Sequence, residues 1–180
     1  MIFKRVIIIL FIALVCGTVQ AQQLAVKSDV AWDALMVPNL GADVVVGNRT
    51  TLGLNVFATN KIWNNDIKAF AVQPEYRYYF SGRAMHQHYI GLGGLGLAYS
   101  QKKEDRKTDC YAGGLGLLFG YVLHFGNRWN VDFHAGCGVY LFHKKKSLIE
   151  PKKSDWSEET SKGMLAAPTS FGVSINYVIK

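Results

Sequence analysis

The final stretch of the chain, Ser170-Phe171-Gly172-Val173-Ser174-Ile175-Asn176-Tyr177-Val178-Ile179-Lys180, alternates between apolar and small or polar residues. Phe171, Val173, Ile175, Tyr177 and Ile179 share one face, while Ser170, Gly172, Ser174 and Asn176 share the other. A period of two belongs to a β-strand, whose successive side chains point to opposite sides. Such a strand has one oily face and two hydrogen-bonding edges, so it needs strand partners and an apolar medium on one side. The same alternation recurs along the chain, which restricts the fold to a sheet that closes on itself.

Eight segments carry the pattern. Residues 24–34 set Leu24, Val26, Val30 and Trp32 against Lys27, Asp29 and Asp33. Pro38 marks a turn because its ring removes a ladder donor. Residues 40–47 follow, then a tight Asn48-Arg49 turn and residues 51–59. Residues 68–80 oppose Phe70, Val72, Tyr76, Tyr78 and Phe80 to Gln73, Glu75 and Arg77. Residues 88–99 are glycine-rich with ambiguous alternation, which predicts a bulge. Residues 111–123 and 129–141 alternate cleanly, and the terminal segment is the eighth. Short turns at 47–50, 81–87 and 124–128 alternate with outer connections at 35–39, 60–67, 100–110 and about 144–163. Long outer and short inner connections, with an even strand number, fit an up-and-down, eight-stranded antiparallel transmembrane β-barrel.

Residues 1–21 read as a secretory leader and not as fold. Lys4 and Arg5 precede an apolar core from Val6 to Val15, and Val19-Gln20-Ala21 offers a small-residue cleavage site. That core is shorter than the roughly 20 apolar residues a spanning helix needs. Lipid attachment at Cys16 is disfavoured, because Val15 stands where Gly, Ala or Ser is usual. Residues 22–180 then form one domain, the barrel.

The formal net charge of +7 drops by two with the leader. The cations gather in two connections, Lys102, Lys103, Arg106 and Lys107 in one and Lys144, Lys145, Lys146, Lys152 and Lys153 in the other. Export argues against nucleic acid, and attraction to anionic lipopolysaccharide remains. Cys110 and Cys137 enter an oxidising compartment. Pairing the sixth and seventh segments sets Cys137 opposite Leu115, more than ~10 Å from Cys110 and too far for a bridge. Neither cysteine has metal-site spacing, and no cofactor is expected.

A soluble barrel also alternates, so the polar-face residues decide which face lies outside. The sixth segment offers Ala112, Gly114, Gly116, Leu118, Gly120 and Val122, which suit a crowded interior and not a watery surface. Aromatics gather near segment ends at Trp32, Tyr76, Tyr78, Phe80, Tyr99, Tyr111, Tyr121, Trp129 and Tyr177, as in interfacial girdles. Lys27, Asp29, Asp43, Glu75, Arg77, Asp132 and His134 then project inward. Unpaired ions there would each cost several kcal/mol, so a network around Arg77, Glu75 and one or both of Asp29 and Asp132 is expected to plug the lumen.

Two resemblances follow. Ser170, Gly172, Ile175 and Tyr177 resemble the terminal β-signal by which bacterial outer-membrane barrels are recognised for insertion, which implies the barrel-insertion machinery as a partner. Lys27-Ser28-Asp29, Trp32-Asp33-Ala34-Leu35, Pro38-Asn39-Leu40-Gly41, Gln73-Pro74-Glu75-Tyr76-Arg77-Tyr78-Tyr79-Phe80 and Arg128-Trp129-Asn130-Val131 resemble a family of small bacterial outer-membrane barrels known as domain of unknown function 3575. That likeness implies an outer-membrane protein, often encoded with surface and fimbria-related proteins. It brings no activity, catalytic residue or cofactor.

The resulting expectation is a non-enzymatic surface scaffold in the outer-membrane lipid, whose outer loops contact a surface polymer, a surface or fimbrial protein, or lipopolysaccharide. Lys144, Lys145, Lys146 and Trp156 are the candidate contacts. A lipid-modifying enzyme would need a nucleophile and base near the outer leaflet, for which His143 with Ser147 or Ser161 are the candidates. No triad spacing is present. A narrow gated pore is the third alternative. Gly91-Leu92-Gly93-Gly94-Leu95-Gly96 lies within a strand and opens no helix, so it is not a phosphate-binding turn.

Overall fold

The computed structural model describes residues 23–60, 67–103, 106–148 and 159–179. Eight antiparallel strands, each bonded to its sequence neighbours, close into a ring. They are β1 (Leu24–Asp29), β2 (Asn39–Gly47), β3 (Thr50–Thr59), β4 (Ile67–Tyr79), β5 (Gln87–Lys103), β6 (Arg106–Phe125), β7 (Trp129–Leu148) and β8 (Glu159–Ile179). The ring shuts where β8 meets β1, from Ser174 opposite Asp29 to Ile179 opposite Leu24. The alternation of the terminal segment becomes an inside and an outside: Ser170, Gly172, Ser174 and Asn176 are buried, while Phe171 is 74% exposed.

Several expectations change. The first strand stops at Asp29, and Val30–Ala34 forms a short helix, α1. Asp29 caps it by accepting from the Ala31 N–H at 2.9 Å, and Met36 leaves it with φ of 60°. Beyond Asp29 the chain has no β2 to pair with, because that strand begins at Asn39, just after the donor-less Pro38. A local cap therefore overrides the alternation of 30–34.

The glycine-rich β5 has no bulge. Its register with both neighbours is unbroken, although no ladder pair to it forms at Gln73 and Pro74. The register shifts lie instead between Val45 and Gly47 on β2 and between Gly136 and Cys137 on β7. In the second, Gly136 faces Ser170 and Cys137 faces Pro168, so Thr169 is the extra residue. A bulge turns adjacent side chains to one side, and Thr169 and Ser170 are both buried.

Much of the expected outer loop length is strand. β5 and β6 pair as far as Lys103 opposite Arg106, and β7 and β8 as far as Lys146 opposite Glu159. The outer rim therefore slants, low at β1–β2 and high at β5–β8. Cys137 faces Leu117 and not Leu115, while Cys110 faces Lys144. The two thiols are free, set about 23 Å apart along the ladder at ~3.3 Å a residue.

Candidate functional site

The interior at mid-height is ionic. Lys27 of β1, Asp43 of β2, Glu75 and Arg77 of β4 and Asp132 of β7 converge on one cluster. Lys27 Nζ lies 2.9 Å from Asp43 and 3.1 Å from Glu75. Arg77 donates to Glu75 through Nη2 at 2.6 Å and Nε at 2.9 Å, and to Asp132 through Nη1 at 2.7 Å. Its guanidinium also stands 4.7 Å over the Tyr89 ring. Asn55 donates to Glu75 at 2.8 Å and the Tyr89 hydroxyl to Asp132 at 3.0 Å. Each ion is thereby paired, as buried charge requires, although Asp43 has its ion pairs without a hydrogen bond to Oδ1. Asp29 stands apart from Arg77: it contacts His134 Nε2 at 2.9 Å instead.

The register explains how such large groups fit. Lys27 lies opposite Gly41, Asp43 opposite Gly53, Arg77 opposite Gly91 and His134 opposite both Gly120 and Gly172. A methyl on Gly53 would run into the Asp43 carboxylate, and one on Gly120 into the Tyr89 ring. Glycine on one strand makes room for the ion or ring on the next.

Sequence reasoning placed the seven ionisable groups inside but missed Tyr89 and Asn55. The signal for Tyr89 is its parity with Gly91 and Gly93, which ambiguous reading of β5 obscured. Two residues assigned to the aromatic girdle belong to the interior instead: Trp32, carried by α1, and Tyr99 both line an inner cavity.

Around Lys27, Glu75, Arg77 and His134 the remaining void is about 10 Å³, at the limit for a single water. Below it, a vestibule of about 570 Å³ opens among Gln23, Val45, Arg83, His86, His124 and Asn130. Above it lies a chamber of about 510 Å³. The ionic cluster thus separates two hollows. In the vestibule, His86 Nδ1 and His124 Nε2 are 3.1 Å apart.

At the outer end Lys144 faces Ser161 and Lys145 faces Thr160. The side chain of Lys146 and the whole of Trp156 lie outside the described residues. His143 faces Lys162, which puts Ser161 one position on and therefore on the opposite face. That pair has no nucleophile–base geometry. Ser147 stands four residues along the same strand. In the terminal segment, Ser170 and Gly172 point inward. Ile175 and Tyr177 point outward, with the Tyr177 hydroxyl accepting from Arg128 at 3.1 Å and its ring 4.9 Å from that of Trp129. Among the described residues no group of three or more His, Cys, Asp or Glu side chains is arranged for a metal ion.

The model of a family described as "Protein of unknown function (DUF3575)" matches residues 7–179. Neither a curated protein nor a solved structure matches the chain.

Proposed function

The chain belongs to that family of unknown function, and since membership brings no activity, we propose a role from its own geometry. It is an exported barrel of the bacterial outer membrane, plugged against flow. It acts as a non-enzymatic scaffold that presents its outer hairpins to a surface polymer or protein partner.

The observation that carries this reading is the inversion of the usual globular pattern. Ions fill the inside, while large apolar side chains cover the outside: Leu115 is 75% exposed, and Phe119, Trp129, Leu141 and Met164 each about half or more. Apolar patches on soluble monomers rarely exceed a few hundred Å². Along β7 the outward row runs from Trp129 to Leu141, roughly 40 Å at ~3.3 Å a residue. A strand tilt of ~35–45° reduces that to about 30 Å, the thickness of a hydrocarbon core. Polar groups fringe the row at both ends. Arg128 meets Tyr177, and Arg49 lies 3.4 Å from the Tyr78 hydroxyl; at the other end stand Lys144 and Lys145. The leader reading of residues 1–21 supplies the export route.

Refolding residues 22–180 into phospholipid vesicles tests the membrane reading. A heat-modifiable gel band is expected, and Phe119→Arg at the middle of the belt should lower stability by about 2–4 kcal/mol. A folded, monomeric protein in detergent-free buffer would overturn it. Surface pulldown with and without residues 149–158 tests the scaffold. Loss of the captured partner supports that role, and equal capture overturns it. Changed acyl chains in lipid mass spectra of cells carrying the gene would overturn the non-enzymatic assignment.

A further inference from the structure

The β8–β1 seam that closes the ring is short. β1 accompanies β8 only as far as Ser174, yet β8 continues to Glu159. Among the described residues, 159–173 of β8 have no strand on that side, and β2 begins only at Asn39. The notch lies within the apolar belt, because Leu141 at the outer end of the β7 row faces Met164 and Ala135 faces Phe171. Its borders are oily: Phe171, Met164, Leu40 and Val30 are all exposed.

α1 sits in this notch. Its Trp32 meets Phe57 of β3 edge-on, with ring centroids 5.7 Å apart. Behind it lies the outer chamber of about 510 Å³, bounded by Ile67, Ala71, Leu95, Leu97 and Pro168. Among the described residues no charged side chain lines it. Gln73 closes its floor by donating to the Thr169 carbonyl at 3.3 Å, and the ionic cluster lies beneath. Ligand pockets are typically mostly apolar hollows of ~300–1,000 Å³ with few polar groups.

We propose that this chamber binds the aliphatic chain of an outer-leaflet lipid, admitted sideways past α1. The inference rests on the membrane reading above and deepens it. The occupant follows from the lining and the entrance together. The lining is uncharged and mainly aliphatic and aromatic, with neutral polar atoms from Thr59, Gln73, Tyr99, Gln101 and Thr169, and Trp32 and Pro168 place it directly behind the apolar notch. A headgroup would stay at the rim, where Tyr99 and Gln101 supply neutral polar atoms.

The test uses the full barrel in phospholipid vesicles doped with a palmitoyl phospholipid carrying a diazirine at the chain end. After photolysis, adducts on Leu95, Leu97 or Trp32 are expected. Ala71→Trp or Ala69→Phe, each narrowing the chamber, should reduce those adducts at least several-fold and leave adducts on outward Leu115 unchanged. Adducts confined to outward positions in the wild type would overturn the proposal while the membrane reading survives. A barrel that stays in the aqueous phase unlabelled would overturn the membrane reading itself. Palmitic acid bearing the same diazirine provides a second arm. Labelling of the chamber by the free acid and not by the phospholipid would support the aliphatic class and overturn sideways entry from lipid.

Discussion

Replacing Arg77 with alanine isolates the energetics of the plug. The arginine is 2% exposed and holds Glu75 and Asp132, with Asp43 at 3.7 Å. Without it, three buried carboxylates face one ammonium, that of Lys27. Lys27 already serves Asp43 and Glu75, so Asp132 would keep only the Tyr89 hydroxyl. Removing one partner of a buried ionic group typically costs about 3–5 kcal/mol, because the other charge stays desolvated. That is a large share of the ~5–15 kcal/mol by which proteins exceed their unfolded states. Arg77→Ala should therefore lower both the urea midpoint of the refolded barrel and the temperature of its gel-mobility transition. The double variant Arg77→Met, Glu75→Leu removes charge from both sides and should retain more stability than the single one. An unchanged midpoint for Arg77→Ala would refute the reasoning, and so would a double variant no better than the single.

Two smaller perturbations follow from the same geometry. Tyr89→Phe removes a hydrogen bond to a buried carboxylate and should cost about 1.5–3 kcal/mol in urea titration. Gly120→Ala forces a methyl against the Tyr89 ring and should cost about 1–3 kcal/mol; Gly126→Ala, a positive-φ glycine with open space around it, should cost less.

Alternation alone determined much of this protein. In β1, β2, β4 and β7 the side-chain period of two fixed which residues line the interior, so Lys27, Asp29, Asp43, Glu75, Arg77, Asp132 and His134 were legible as inward before any pairing was known. Which of them touch was not legible, because contact across the ring depends on register. One register pairs ions with glycines, brings Lys27 to Glu75 over 48 residues and sends Asp29 to His134 and away from Arg77. Two features departed from the alternation: Asp29 caps α1 and ends β1, and Thr169 adds a residue that flips the parity of β8. β5 keeps it, and its unbroken register carries Tyr89 to Asp132. The outer chamber belongs wholly to tertiary structure. Trp32, Phe57, Leu97 and Pro168 are distant in sequence, and only closing a short β1 against a long β8 leaves the notch and the hollow behind it.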